Sequence, residues 1–194
     1  MFRPNFSSSI RRLWRHSFAR LVLIVACAAC GTHDSSSATS DSSAIAYVRG
    51  RYAQHFRTRQ GFSIDTLRAR QRWFTPCLYS VLIADAERAD SLREVGFLNW
   101  DPFTRAQDDA SGFRAVSATH AHDTVFVHVD VLFGYPPPGL PSPITVAVTR
   151  VDSTWRIADL IGPDVDLARF VDSSLRDLAA QEHRPYASCL NHGR

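Results

Sequence analysis

Apolar residues recur at helical spacing from residue 44 onward, with Ile45, Val48, Tyr52 and Phe56 on one stripe and Arg49, Arg51 and Arg57 on other faces. The spacing predicts a helix that stops before Gly61, then a short helix capped by Ser63 that carries Leu67 toward Trp73. Thr75-Pro76 reads as an N-cap followed by proline at the first helical position. It opens a third helix with Leu78, Val81, Leu82, Ala86 and Ala89 on its stripe and an end near Gly96. After Gly112 the period shortens to two. Val125, Val127, Val129 and Val131 point one way and Phe126, His128 and Asp130 the other, behind a preceding strand over Phe113 to His120. Ile144, Val146 and Val148 alternate again, and a turn at Asp152-Ser153 leads to Trp155 and Ile157, read as core residues of the last strand. A closing helix is expected from about Asp164, with Leu167, Phe170, Val171, Ser174 and Leu178 on its stripe. Three helices, four antiparallel strands and a final helix define an α+β domain over residues 44–194, since a sheet with one apolar face needs helices to cover it.

Composition divides the chain before this domain. All 22 basic residues are arginines, and Arg3, Arg11, Arg12, Arg15 and Arg20 occupy a leader without acids. The rest of the chain sets 17 basic residues against 19 acidic ones, so the basic excess is confined to the leader and no nucleic-acid partner is expected. Residues 21–30 form a short apolar run ending in Cys27-Ala28-Ala29-Cys30. A basic start, a short apolar stretch and small residues describe a signal peptide over 1–30. The cysteines resemble the lipid-attachment site of bacterial lipoproteins; apolar length favours Cys30, with Cys27 as the alternative. Six serines in residues 31–43 predict a flexible tether, spanning ~20 Å if it behaves as a random coil. A membrane reached through this lipid, at the periplasmic side of the outer membrane, is the expected location.

The loop Trp100-Asp101-Pro102-Phe103-Thr104-Arg105-Ala106-Gln107-Asp108-Asp109 joins the helical half to the sheet and gathers acids, an amide and aromatics. Trp100, Asp101, Gln107 and Asp108 are its candidate binding residues, with the loop-strut reading preferred for Asp101 and Gln107. His120, His122, Asp123 and His128 invite a metal, but a turn at His122-Asp123 pairs Ser117 with His128 and puts His120 and His128 on opposite faces. No metal site and no cofactor are expected. Cys77 and Cys189, the cysteines beyond the leader, are expected to pair in an oxidising compartment. The chain has no Gly-x-Ser-x-Gly, phosphate-binding glycine loop or His-Glu-x-x-His, and no catalytic residue is assigned. Residues 135–143 hold five of the ten prolines, which favours a stiff hairpin connection able to dock a partner.

Phe74-Thr75-Pro76, Gly96-Phe97-Leu98, Asp101-Pro102-Phe103, Gln107-Asp108 and Thr154-Trp155-Arg156-Ile157 resemble a bacterial family of unknown function, number 3828 of such domains. The resemblance covers about residues 44–180 and implies an envelope lipoprotein. The element order also resembles the cone of nuclear transport factor 2 and ketosteroid isomerase, which by itself carries no activity. The expected function is a lipid-anchored, non-enzymatic binding module for an envelope protein partner or a small ligand. The alternative is a lipid-anchored hydrolase or isomerase-like enzyme using the Asp101–Asp108 loop.

Overall fold

The computed structural model describes residues 35–58, 61–107, 110–134 and 141–190. Cys27, Cys30, Asp108 and the prolines at 136–138 lie outside the described residues. The chain runs α1 (Ser35–Thr58), α2 (Ile64–Ala69), a 3-10 turn (Gln71–Trp73), α3 (Pro76–Leu92), β1 (Ala110–Ala121), β2 (Thr124–Phe133), β3 (Ser142–Val151), β4 (Thr154–Ile161) and α4 (Leu167–Gln181). The α+β class is therefore as expected. The strands form an antiparallel meander in the order β1-β2-β3-β4.

Val125, Val127, Val129 and Val131 of β2 and Ile144, Val146 and Val148 of β3 are all buried against the helices. α1 lies over β1 and β2, while α3 and α4 pack on each other and reach β4. Ser63 caps α2 through the Thr66 N–H, and Thr75 caps α3 through the Leu78 N–H with proline behind it. Ala121 pairs with Thr124 and Ser117 with His128, so His120 and His128 lie on opposite faces of the sheet. Asp152 and Ser153 both take positive φ, as a tight two-residue hairpin whose twist matches its strands requires. Thr75 donates its N–H to the Ile157 carbonyl at 2.8 Å, which docks the start of α3 on the β4 edge.

Three helix boundaries differ from the sequence reading, the first two because of tertiary contacts and the third because of a local turn. α1 begins at Ser35, so most of the expected tether is helical. Ser43 Oγ accepts from Trp155 Nε1 at 3.0 Å, His120 meets Asp41, and Ala44 is fully buried, so the sheet supports turns that composition alone would leave as coil. α3 stops at Leu92, short of Gly96, with Arg93 left-handed at φ 54. Buried Asp85 accepts the N–H groups of Phe97 and Leu98 at 3.0 and 3.1 Å, which draws the chain back across the helix. A Cβ at Gly96 would stand 2.7 Å from Asp85 Oδ2, so only glycine allows this return. α4 begins at Leu167 rather than Asp164, after a turn in which Gly162 N–H meets the Val165 carbonyl.

The β4 ladder shifts register beside Ala158. Asp159 Oδ1 there accepts the Ala168 N–H at 2.9 Å, capping α4 from a neighbouring element. Burial raises the Asp159 carboxyl pKa, against the lowering effect of the Ala168 and Leu160 N–H groups that bond it. The buried face of α4 is Leu167, Ala168, Val171, Asp172, Leu175 and Ala179, so Phe170, Ser174 and Leu178 of the expected stripe stand at its margin.

Cys77 and Cys189 are bonded, with their α-carbons 5.5 Å apart across 112 positions. The bridge ties the chain after α4 to the first turn of α3. Cys77→Ser should lower unfolding stability by ~2–4 kcal/mol, read from the denaturant midpoint. Protein unfolded without reductant should show no titratable thiol from this pair.

The same tail is held by Tyr186, whose hydroxyl donates to Asp172 Oδ1 at 2.9 Å. Burial first, then the hydrogen bond and charge of Asp172, push the Tyr186 phenol up to about 12 from 10.0. Because the folded pKa is the higher one, this contribution is intact below the unfolded value and is lost as pH rises toward the folded value. Stability should therefore fall between these two pH values, and Tyr186→Phe should flatten that loss. An identical alkaline profile in the variant would rule out Tyr186 as its source.

Candidate functional site

The loop after Asn99 is built around Asp101. Its N–H donates to the Ala106 carbonyl at 3.1 Å, and its own carbonyl accepts from Thr104 N at 3.1 Å and Arg105 N at 2.6 Å. Its carboxylate works in two directions. Oδ1 accepts the Phe103 N–H at 2.9 Å, closing an Asx turn over Pro102. Oδ2 meets Nε2 of buried His55, from α1, at 2.6 Å.

The other nitrogen of His55 is also engaged. Nδ1 lies 3.2 Å from Arg70 Nη1, and Arg70 Nη2 donates to Thr58 Oγ1 at 3.0 Å. A guanidinium can only donate, so Nδ1 accepts and Nε2 carries the proton given to Asp101. The imidazole stacks on Phe103 at 4.7 Å, and the Arg70 guanidinium lies 4.7 Å over Trp73. Asp101, His55, Arg70 and Thr58 form a chain whose polar groups satisfy one another. Burial lowers the Arg70 pKa, while the Asp101 charge opposes that shift. Beside the chain, fully buried Tyr52 stands edge-on to Phe103 at 5.1 Å, and its hydroxyl has no hydrogen bond among the described residues. Burial, reinforced by the Asp101 charge, raises its phenol pKa far above the ordinary value.

The loop's outer side differs in character. Trp100, Arg105, Ala106 and Gln107 face Val165 and Phe170 across a cleft of about 370 Å³. Gln107 is exposed and donates to the Asn99 carbonyl at 3.3 Å, a weak strut. The structure thus separates the residues grouped by sequence: Asp101 turns inward, while Trp100 and Gln107 line the cleft. Sequence reasoning missed His55, Arg70 and Phe170 as partners of this loop, and did not single out Arg105 within it. A larger hollow of about 530 Å³ lies between α2 and α3, but its buried acid, Asp85, is committed to the Phe97 and Leu98 N–H groups.

Among the described residues no three His, Cys, Asp or Glu side chains converge as metal ligands, and no helix is long and apolar enough to cross a membrane. Comparisons with family models, curated proteins and solved structures return no match to the chain.

Proposed function

We propose that this chain is a non-enzymatic binding module, carried on a lipid anchor at the bacterial cell envelope, whose ligand seat is the Trp100–Arg105–Gln107 cleft. The observation that carries the reading is the division of labour in the loop. Asp101 and His55 have their carboxylate oxygens and ring nitrogens engaged within the fold, while Trp100 and Arg105 face open space. A hydrolase or isomerase working through the Asp101–Asp108 loop would need one of those groups free to move a proton. The proposed anchor rests on the leader ending at Cys30 or Cys27, and two or more acyl chains would hold the domain stably at a membrane. The resemblance to family 3828 fits an envelope lipoprotein, and helices on one face of a β meander fit a nuclear-transport-factor-2-like cone in element order.

Native mass spectrometry of protein released gently from envelopes tests the module. A co-purifying mass should be present in the wild type and absent from Trp100→Ala. Its persistence in that variant, or an empty wild type that also crosslinks to no envelope protein, overturns the reading. Labelled palmitate should enter the wild type and vanish from a Cys27→Ser/Cys30→Ser variant; unchanged labelling refutes the anchor.

A further inference from the structure

The geometry points to a ligand class for this cleft: we propose that it seats a small monocarboxylate with an aromatic or branched apolar body, an inference that rests on the binding-module reading above. Arg105 is half-buried and permanently charged, yet its guanidinium has no hydrogen bond or ion pair among the described residues. Arg70 is spent on His55 and Thr58, Arg88 lies beside Asp85 and Glu94, and Arg176 holds Asp172. Among the described residues the Arg105 guanidinium lies 5.8 Å from the Trp100 ring, by its central carbon, and has no charged partner. A set of donors left open at the edge of an apolar cleft is the arrangement that receives a carboxylate through paired N–H bonds.

Two backbone features put it there. Arg105 adopts φ 55, a left-handed conformation unfavourable for a side chain of its size, and is held in it by the 2.6 Å bond from its N–H to the Asp101 carbonyl. On the turn that leads from β4 into α4, a Cβ at Gly162 would fall 1.5 Å from Arg105 Nη1, so the guanidinium packs into space that a side chain there would take. The interior strut Asp101 thereby aims the exterior cation.

The rest of the cleft selects the ligand. Val165, Phe170 and Trp100 offer apolar and aromatic surface, and about 370 Å³ suits a ring with a short side arm. The adjoining hollow carries Asp164 and Asp166 beside Phe170. A cation without a charged partner among the described residues, beside two carboxylates, fits a single negative charge and disfavours a dianion such as a phosphate monoester.

Calorimetric titration of the full chain with 3-phenylpropionate, 3-phenylpropionamide and phenyl phosphate tests the assignment. The acid should bind saturably, with the amide and the phosphate weaker by roughly tenfold or more. Arg105→Gln should weaken the acid by a similar factor while leaving the amide unchanged. Gly162→Ala should mimic it by displacing the guanidinium, and Arg114→Gln, on the open face of the sheet, should have no effect. Thermal melts confirm that Arg105→Gln is folded. Equal binding of acid and amide, or acid binding indifferent to Arg105→Gln, overturns the carboxylate seat. If either occurs while a co-purifying mass is still lost in Trp100→Ala, the ligand class fails and the binding module stands.

Discussion

Asp101→Ala should lower the stability of the domain by ~3–5 kcal/mol, the cost of leaving a buried charge without its counter-charge. Arg70 is 4% exposed, and its positive charge is balanced through His55 by Asp101. Removing the carboxylate strands that cation and also frees the Phe103 N–H from its acceptor. The Asp101 side chain is itself 28% exposed, so water screens part of the charge and the loss should fall toward the lower end of the range. Asp101→Asn should cost less, ~1–3 kcal/mol, because an amide oxygen can still close the turn while the amide N–H2 faces the Nε2 proton. Gln107→Ala should stay within ~0.5 kcal/mol, since its single bond is exposed. That last value departs from the sequence reading, which gave Gln107 the same strut role as Asp101. Urea midpoints of the three variants test the order, and an Asp101→Ala midpoint matching wild type would mean that the buried chain is not held by Asp101.

The helices and strands were legible because their apolar periods are long and their caps are local. Ser63, Thr75-Pro76 and the Asp152-Ser153 turn each act within a few residues, and each acts as expected. What escaped was the set of polar residues placed on apolar stripes. His55 follows Tyr52 by three, Asp85 follows Leu82 by three, and Asp172 follows Ala168 by four; all three are buried with partners from distant segments. A polar residue at a core position is a visible signal that it bonds something across the fold, but the sequence does not say what. The candidate loop shows the same limit. Its composition marked Trp100, Asp101 and Gln107 together, whereas the direction each side chain takes depends on α1 and α4. The Ser-rich start of α1 is the opposite case, where composition favoured coil and contacts with Trp155 and His120 favour helix.

Trp155→Ala should cost ~3–5 kcal/mol, as removal of a buried aromatic does. The residue is 9% exposed and faces Arg150 across the β3–β4 ladder, with that guanidinium 4.4 Å over its ring. Its indole N–H donates to Ser43 Oγ, so the side chain both fills the sheet's apolar face and fastens the first turns of α1. Truncation should therefore act on two elements. Hydrogen exchange should accelerate at amides around Ala44 to Val48 before it does at the centre of β2, because those turns lose their main contact with β4. Trp155→Phe separates the two roles: the ring survives and the hydrogen bond does not, which should cost ~1 kcal/mol. A ring serving instead as a ligand platform on the neighbouring hollow with His122 and Asp123 would leave folding nearly intact when removed. A Trp155→Ala protein that melts within a degree or two of wild type would establish that alternative, and a large loss confined to Trp155→Ala would place the indole in the core.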